Sequence, residues 1–190
     1  MTQSFLVATI LLLGCYLAAD AQTNDCAAIA SATHIAEVGA FSNIRYTEEH
    51  AYGYRVMLWR AGTCLVGFFE SSAGLAGDTP IGWLQDVKYN QKTAALSFSA
   101  KLTTGLVSSN GSGAFQPSQD VFTFEGQMKP KRVTGAVTHA SQNTPTVKPV
   151  RQMVHLPSSK KDAEFMHGPV TYGEWREQWR PVLQRRGPKW

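Results

Sequence analysis

Few residues in this 190-residue chain have the types and spacing that reaction chemistry needs. The histidines, His34, His50, His139, His155 and His167, are dispersed, and no H-E-x-x-H pair, G-x-S-x-G elbow or P-loop occurs. His139 and His155 fall in neighbouring late strands of the reading below, where two imidazoles could meet at a metal. A solvent-facing or hydrogen-bonded histidine is the commoner occurrence. Thr47-Glu48-Glu49-His50 gathers two carboxylates and an imidazole. Adjacent carboxylates on a strand point to opposite faces and make a poor general acid/base pair. In a turn that objection weakens, which leaves a small barrel-mouth hydrolase or isomerase using Glu48 or Glu49 as the enzyme alternative. The glycine-rich Ser108-Ser-Asn-Gly-Ser-Gly113 opens no helix that would cradle a phosphate, and it reads as a strand connection.

The aromatic supply is richer. Trp59, Phe68, Phe69, Trp83, Tyr89, Phe98, Phe122 and Phe124 lie in strand-like stretches, and a barrel of about eight strands either fills with such side chains or holds one small ligand. Around a cavity, Trp59, Trp83, Phe98 and Phe124 would form apolar walls, with Arg151 and Gln152 as polar groups near the mouth. An acidic apolar molecule such as a fatty acid would suit that lining. No cofactor or metal is expected.

The elements that must position these residues follow from periodicity. In residues 94–102, Leu96, Phe98, Ala100 and Leu102 share one face and Ser97, Ser99 and Lys101 the other, the period-two pattern of a half-exposed strand. The pattern recurs, bounded by turn residues, over 40–47, 54–60, 64–70, 81–89, 121–128, 133–139 and 150–156, which makes eight strands. Short links force antiparallel neighbours. An up-and-down meander removes its exposed edges by closing on itself, so a barrel is expected, with an open β-sandwich as the alternative. Ahead of the strands, Asp25 opens an alanine-rich stretch that predicts a short helix before Gly39. Glycines inside strands, Gly67, Gly82, Gly126 and Gly135, fit tight bends or leave room for neighbouring aromatics.

This layout, a short N-terminal helix, eight meandering strands and a closing helix over residues 25–186, resembles the calycin group of lipocalin-like barrels. Gly39-Ala40-Phe41 stands where that group carries G-x-W, with Phe in place of Trp, and Arg151 stands in the last strand where the group carries the basic residue paired with it. The resemblance implies a closed barrel with a ligand in its lumen. The chain also resembles exported bacterial domains built as glycine-punctuated strand meanders.

Charge and processing signals complete the reading. Residues 24–125 hold nine acids and six bases, whereas residues 126–161 hold seven bases and no acid. At the C-terminus, Trp175, Trp179 and Leu183 follow Thr171 at helical spacing, an apolar stripe, and Pro181 should kink that helix or begin a second one. Residues 171–190 thus read as an amphipathic helix with a basic tail. Arg185, Arg186, Lys189 and Trp190 are candidates for contact with a partner protein or an anionic membrane surface, the interaction alternative to ligand binding. No nucleic-acid module accompanies them.

Residues 5–19 form an apolar run ending in Ala19-Asp20-Ala21, a signal-peptide pattern, so residues 1–21 are expected to be removed and the protein secreted or periplasmic. Leu12-Leu13-Gly14-Cys15 resembles a lipobox, which makes lipid anchoring through Cys15 the minor alternative. After cleavage Cys26 and Cys64 remain, and an even count in an exported chain suggests one disulfide. Residues 22–170 are then one β-barrel domain.

Overall fold

The computed structural model describes residue 26 and residues 29–75, 79–102, 106–108, 115–117, 119–141 and 146–184. The expected leader, Cys15 and the tail residues Arg185, Arg186, Lys189 and Trp190 lie outside the described residues. Among the described residues eleven strands run in chain order: β1 Ile35–Ser42, β2 Arg45–Tyr46, β3 His50–Ala61, β4 Cys64–Leu75, β5 Ile81–Asn90, β6 Ala95–Lys101, β7 Leu106–Ser108, β8 Phe115–Pro117, β9 Asp120–Lys129, β10 Arg132–Ser141 and β11 Val150–Pro157. Helix α1 (Lys160–Ala163), a 3-10 turn (Glu164–Met166) and helix α2 (Tyr172–Leu183) follow. No described helix is long and apolar enough to cross a membrane.

The eight longer strands form one antiparallel sheet in the order β1-β3-β4-β5-β6-β9-β10-β11, the up-and-down meander that the short links dictate. One sheet rather than two facing ones overturns the sandwich alternative. The sheet curls into a half-barrel. Its first and last strands meet at a single bridge, Phe41 with Ser158, beside a hydrogen bond from the Ser159 N–H to the Ala40 carbonyl at 2.9 Å. No continuous ladder joins β1 to β11 among the described residues.

Two sequence expectations give way here. Residues 35–37 belong to β1, not to a helix, and residues 29–34 are not helical either. Tertiary pairing overrides the alanine-based helix signal: Ile35 pairs with Ala61, and a bulge between Glu37 and Gly39 lets both Ile35 and Ala40 face the outer apolar layer. Gly39 occupies that bulge at φ 150°, where a side chain would be strained. The second concerns one of the two alternatives for Pro181: no second helix begins there, because α2 runs through it to Leu183. The β7-β8 hairpin occupies part of the connection read as irregular.

Inside the curl, Gly126 and Gly135 face each other across β9 and β10, and a Cβ on either would come within 2.8 Å of the Phe124 ring. The paired glycines make room for that aromatic, which fills the interior between them.

Cys26 and Cys64 are bonded across a sequence separation of 38 and tie the segment before β1 to the start of β4. A disulfide fits an oxidising compartment. Replacing both cysteines by alanine is expected to lower unfolding stability by about 2–4 kcal/mol, through the freed loop of the unfolded chain. Urea unfolding of the two forms checks this.

Candidate functional site

The strands of the first half are buried on both faces. On β3, Val56 and Leu58 face the interior with Phe41, Phe69, Phe98 and Phe124, whereas Met57 and Trp59 face outward with Phe68, Trp175 and Leu183. Helix α2 covers that outer face. Thr171 and Glu174 form a capping box at its start, and the Val170 and Thr171 N–H groups donate to the Glu174 carboxylate, holding its pKa below the ordinary value. Ring centroids lie 4.9 Å apart for Trp83 and Trp175, 5.4 Å for Trp59 and Trp175, and 4.8 Å for Phe68 and Trp179.

This placement corrects the expected ligand lining. Phe98 and Phe124 are interior, but Trp59 and Trp83 belong to the helix-covered outer layer and cannot share a lumen with them. Sequence alternation alone does not say which of two apolar faces becomes the inside. The indole N–H groups of Trp59, Trp175 and Trp179 are buried without a hydrogen-bond partner among the described residues, and ring packing and apolar burial stabilise this layer.

Several polar groups that touch the interior lie together at one end of it. Tyr54 of β3 stacks on Phe69 with centroids 5.7 Å apart and meets the edge of Phe122 at 6.2 Å. Its hydroxyl donates to the Gln152 Oε1 of β11 at 3.3 Å, spanning the two sides of the curl. Burial raises the Tyr54 pKa above its ordinary value, which keeps the phenol a neutral donor. His139 of β10 lies flat on Phe122, centroids 4.5 Å apart and planes 5° apart, with its Nε2 3.2 Å from the Asp120 Oδ2 of β9. Gln152, Tyr54, Phe122, His139 and Asp120 thus form one connected rim over an aromatic floor. Gln152 is exposed and His139 partly so, so solvent reaches this end.

Strand parity decides which residues reach the rim. Val154 and Leu156 of β11 pack inside, which turns Gln152 inward and Arg151, Met153 and His155 outward. Arg151 is therefore not a mouth residue, and its expected pairing with Phe41 is absent, because Phe41 meets Ser158 at the opposite end of β11. His139 and His155 point to opposite faces and do not come together. Glu48 and Glu49 sit exposed in the turn between β2 and β3, which is closed by the Thr47 N–H donating to the His50 carbonyl.

A buried ionic cluster was not legible in advance. On the outer face Arg55 of β3 pairs with Glu70 of β4, its Nε 2.8 Å from Oε2, and its Nη1 reaches Asp162 of α1 at 2.5 Å. Glu70 is 4% exposed. Burial pushes its carboxyl pKa up and Arg55 offsets this in part; burial also disfavours the Arg55 charge, but Glu70 and Asp162 more than compensate. The signal available in the sequence was a carboxylate at position 70 continuing the outward face of Phe68. The three groups fasten α1 to the sheet.

Fold and rim together define a class: a curled antiparallel meander, helix-covered on one outer face, with a polar, solvent-reached end over an aromatic interior. No family model, curated protein or solved structure matches the chain.

Proposed function

We propose that this is a binding protein, of calycin-like layout, which holds one small amphiphile at the open end of its curled sheet. The observation that carries the reading is the convergence of Tyr54, Gln152, His139 and Asp120 above Phe69 and Phe122. Apolar walls with a few convergent polar groups are the usual form of a small-molecule site. The deeper interior, occupied by Phe98 and Phe124, leaves the rim as the region for a ligand's polar end, with the apolar part lying on the Phe69, Phe122 and Tyr54 rings. The half-barrel curl brings β3 and β11 towards each other at this end, where the Tyr54–Gln152 hydrogen bond spans them.

With Arg151 outside the rim, the groups present are a phenol, an amide and an imidazole–carboxylate pair. They suit a hydroxyl or amide head better than a bare carboxylate, whose charge would lie near Asp120. The disulfide, with the leader reading, supports a secreted or periplasmic setting. Calorimetric titration with dodecanol and dodecanoate tests the proposal. Dodecanol is expected to bind more tightly, and Tyr54→Phe to weaken it roughly three- to tenfold, the worth of one hydrogen bond. Equal failure of both probes to bind wild type, or an unchanged affinity in Tyr54→Phe, would refute it.

A further inference from the structure

The last strand leaves one edge open, and the phase of its hydrogen bonds says which groups face outward. The Ser158 N–H donates to the Lys131 carbonyl at 2.9 Å, and the β10-β11 register runs without a shift from there to His139 and Val150. In an antiparallel ladder hydrogen-bonded pairs alternate with non-bonded ones. The even-numbered residues of β11 therefore bond to β10, and the N–H and C=O groups of Arg151, Met153 and His155 point to the free edge. Pro157, which lacks an N–H, falls in the same outward phase, a position that suits proline on an edge. β1 meets this edge only near Ser158, because β2 turns away to pair with β3. Along residues 150–156 no described strand covers it.

The side chains beside that edge are apolar and basic. Val150 is 60% and Met153 74% exposed, and Arg151 and His155 flank Met153 on the outward face. Lys148 precedes the strand, and Glu125, the acid on this outward face of the neighbouring strands, is separated from Met153 by β10. Pairing of two copies edge to edge about Met153 would set Arg151 against His155 of the second copy, two basic side chains directly opposite, which opposes self-association.

We propose that the β11 edge is a docking site for an extended acidic segment of a partner protein, added as a further antiparallel strand. Its backbone bonds to Arg151, Met153 and His155; its acidic side chains share the outward face with Arg151 and His155, and its apolar ones lie on the opposite face beside Val150. The proposal is independent of the amphiphile reading.

The test is fluorescence anisotropy of a labelled peptide of about eight residues, strand-sized, alternating Val and Glu, against its Val/Lys counterpart. The Val/Glu peptide is expected to bind and the Val/Lys peptide not to. Met153→Pro, which removes one outward N–H and no bond to β10, is expected to weaken binding roughly tenfold, while Met153→Ala keeps most of it. In wild type, bound peptide should slow amide exchange at Arg151, Met153 and His155, a readout that does not depend on the proline variant folding. Equal binding of both peptides, unchanged exchange at those amides, or a wild-type dimer abolished by Met153→Pro would overturn the assignment.

Discussion

Replacing Trp175 by alanine is expected to cost about 3–5 kcal/mol of unfolding stability, the range for deleting a fully buried large aromatic. Trp175 is 2% exposed and its ring is within contact range of Trp59, Trp83 and Tyr172, so alanine leaves a cavity at the centre of the outer layer. The loss should spread, because the Ile35, Tyr172 and Gly173 N–H groups donate to Val170, Thr33 and Ser31 and bind the start of α2 to the chain entering β1. Urea unfolding followed by far-ultraviolet circular dichroism measures the change. A truncation before Tyr172 should unfold the domain or bring its midpoint close to ambient conditions. An intact fold in the truncated chain would mean that α2 is an appendage and that its tryptophans serve another surface.

Arg55→Ala should be comparably damaging, about 3–5 kcal/mol, because it leaves the Glu70 carboxylate buried without its counter-charge and Asp162 without its partner. The pair need not be stabilising in net terms. A double replacement, Arg55→Met with Glu70→Leu, is expected to recover much of the loss, since well-packed apolar groups avoid the desolvation cost. Failure of the double variant to recover would show that the ionic geometry itself holds α1 to the sheet. The pH dependence carries a definite sign. The folded protein holds the Glu70 proton more tightly than the unfolded chain does, so the unfolded chain ionises first as pH rises. The Glu70 contribution is therefore fully present below the ordinary glutamate pKa and declines as pH rises from there through its raised folded value. In Glu70→Gln that segment of the stability profile should be flat.

Much of this architecture could be read from residues. Strand alternation, exemplified by Leu96, Phe98 and Ala100, gives the meander, although the first strand expected over 40–47 lies at Ile35–Ser42, and the spacing of Trp175, Trp179 and Leu183 gives α2 and its buried stripe. The Cys26–Cys64 pair follows from the even count of cysteines outside the expected leader. What failed had a physical cause in each case. The alanines before Gly39 signal helix locally, but pairing with β3 outweighs that preference. The run Val56-Met-Leu-Trp59 is apolar at every position, which says that both faces are covered without saying by what. By sequence alone Trp59 and Trp83 are therefore indistinguishable from the interior aromatics Phe98 and Phe124.

The rim was half legible. The sequence offers Gln152 and Arg151 equally as mouth residues, and only strand parity fixed by the β10 register separates them. Tyr54, Asp120 and His139 converge from three strands, and Asp120 follows a connection whose course the sequence does not specify. Arg55, Glu70 and Asp162 are likewise brought together from three elements distant in the chain. Such groups become a site through folding, and no local motif announces them.

Intermolecular nuclear Overhauser contacts between dodecanol and the protein's aromatic protons test the central claim most directly. Binding at the open end of the curl predicts contacts from the alkyl chain to Phe69, Phe122 and Tyr54, with the hydroxymethyl end near Gln152 and His139. Contacts to Trp83 and Trp179 beneath α2 instead, or none to the rim residues at saturating dodecanol, would contradict it.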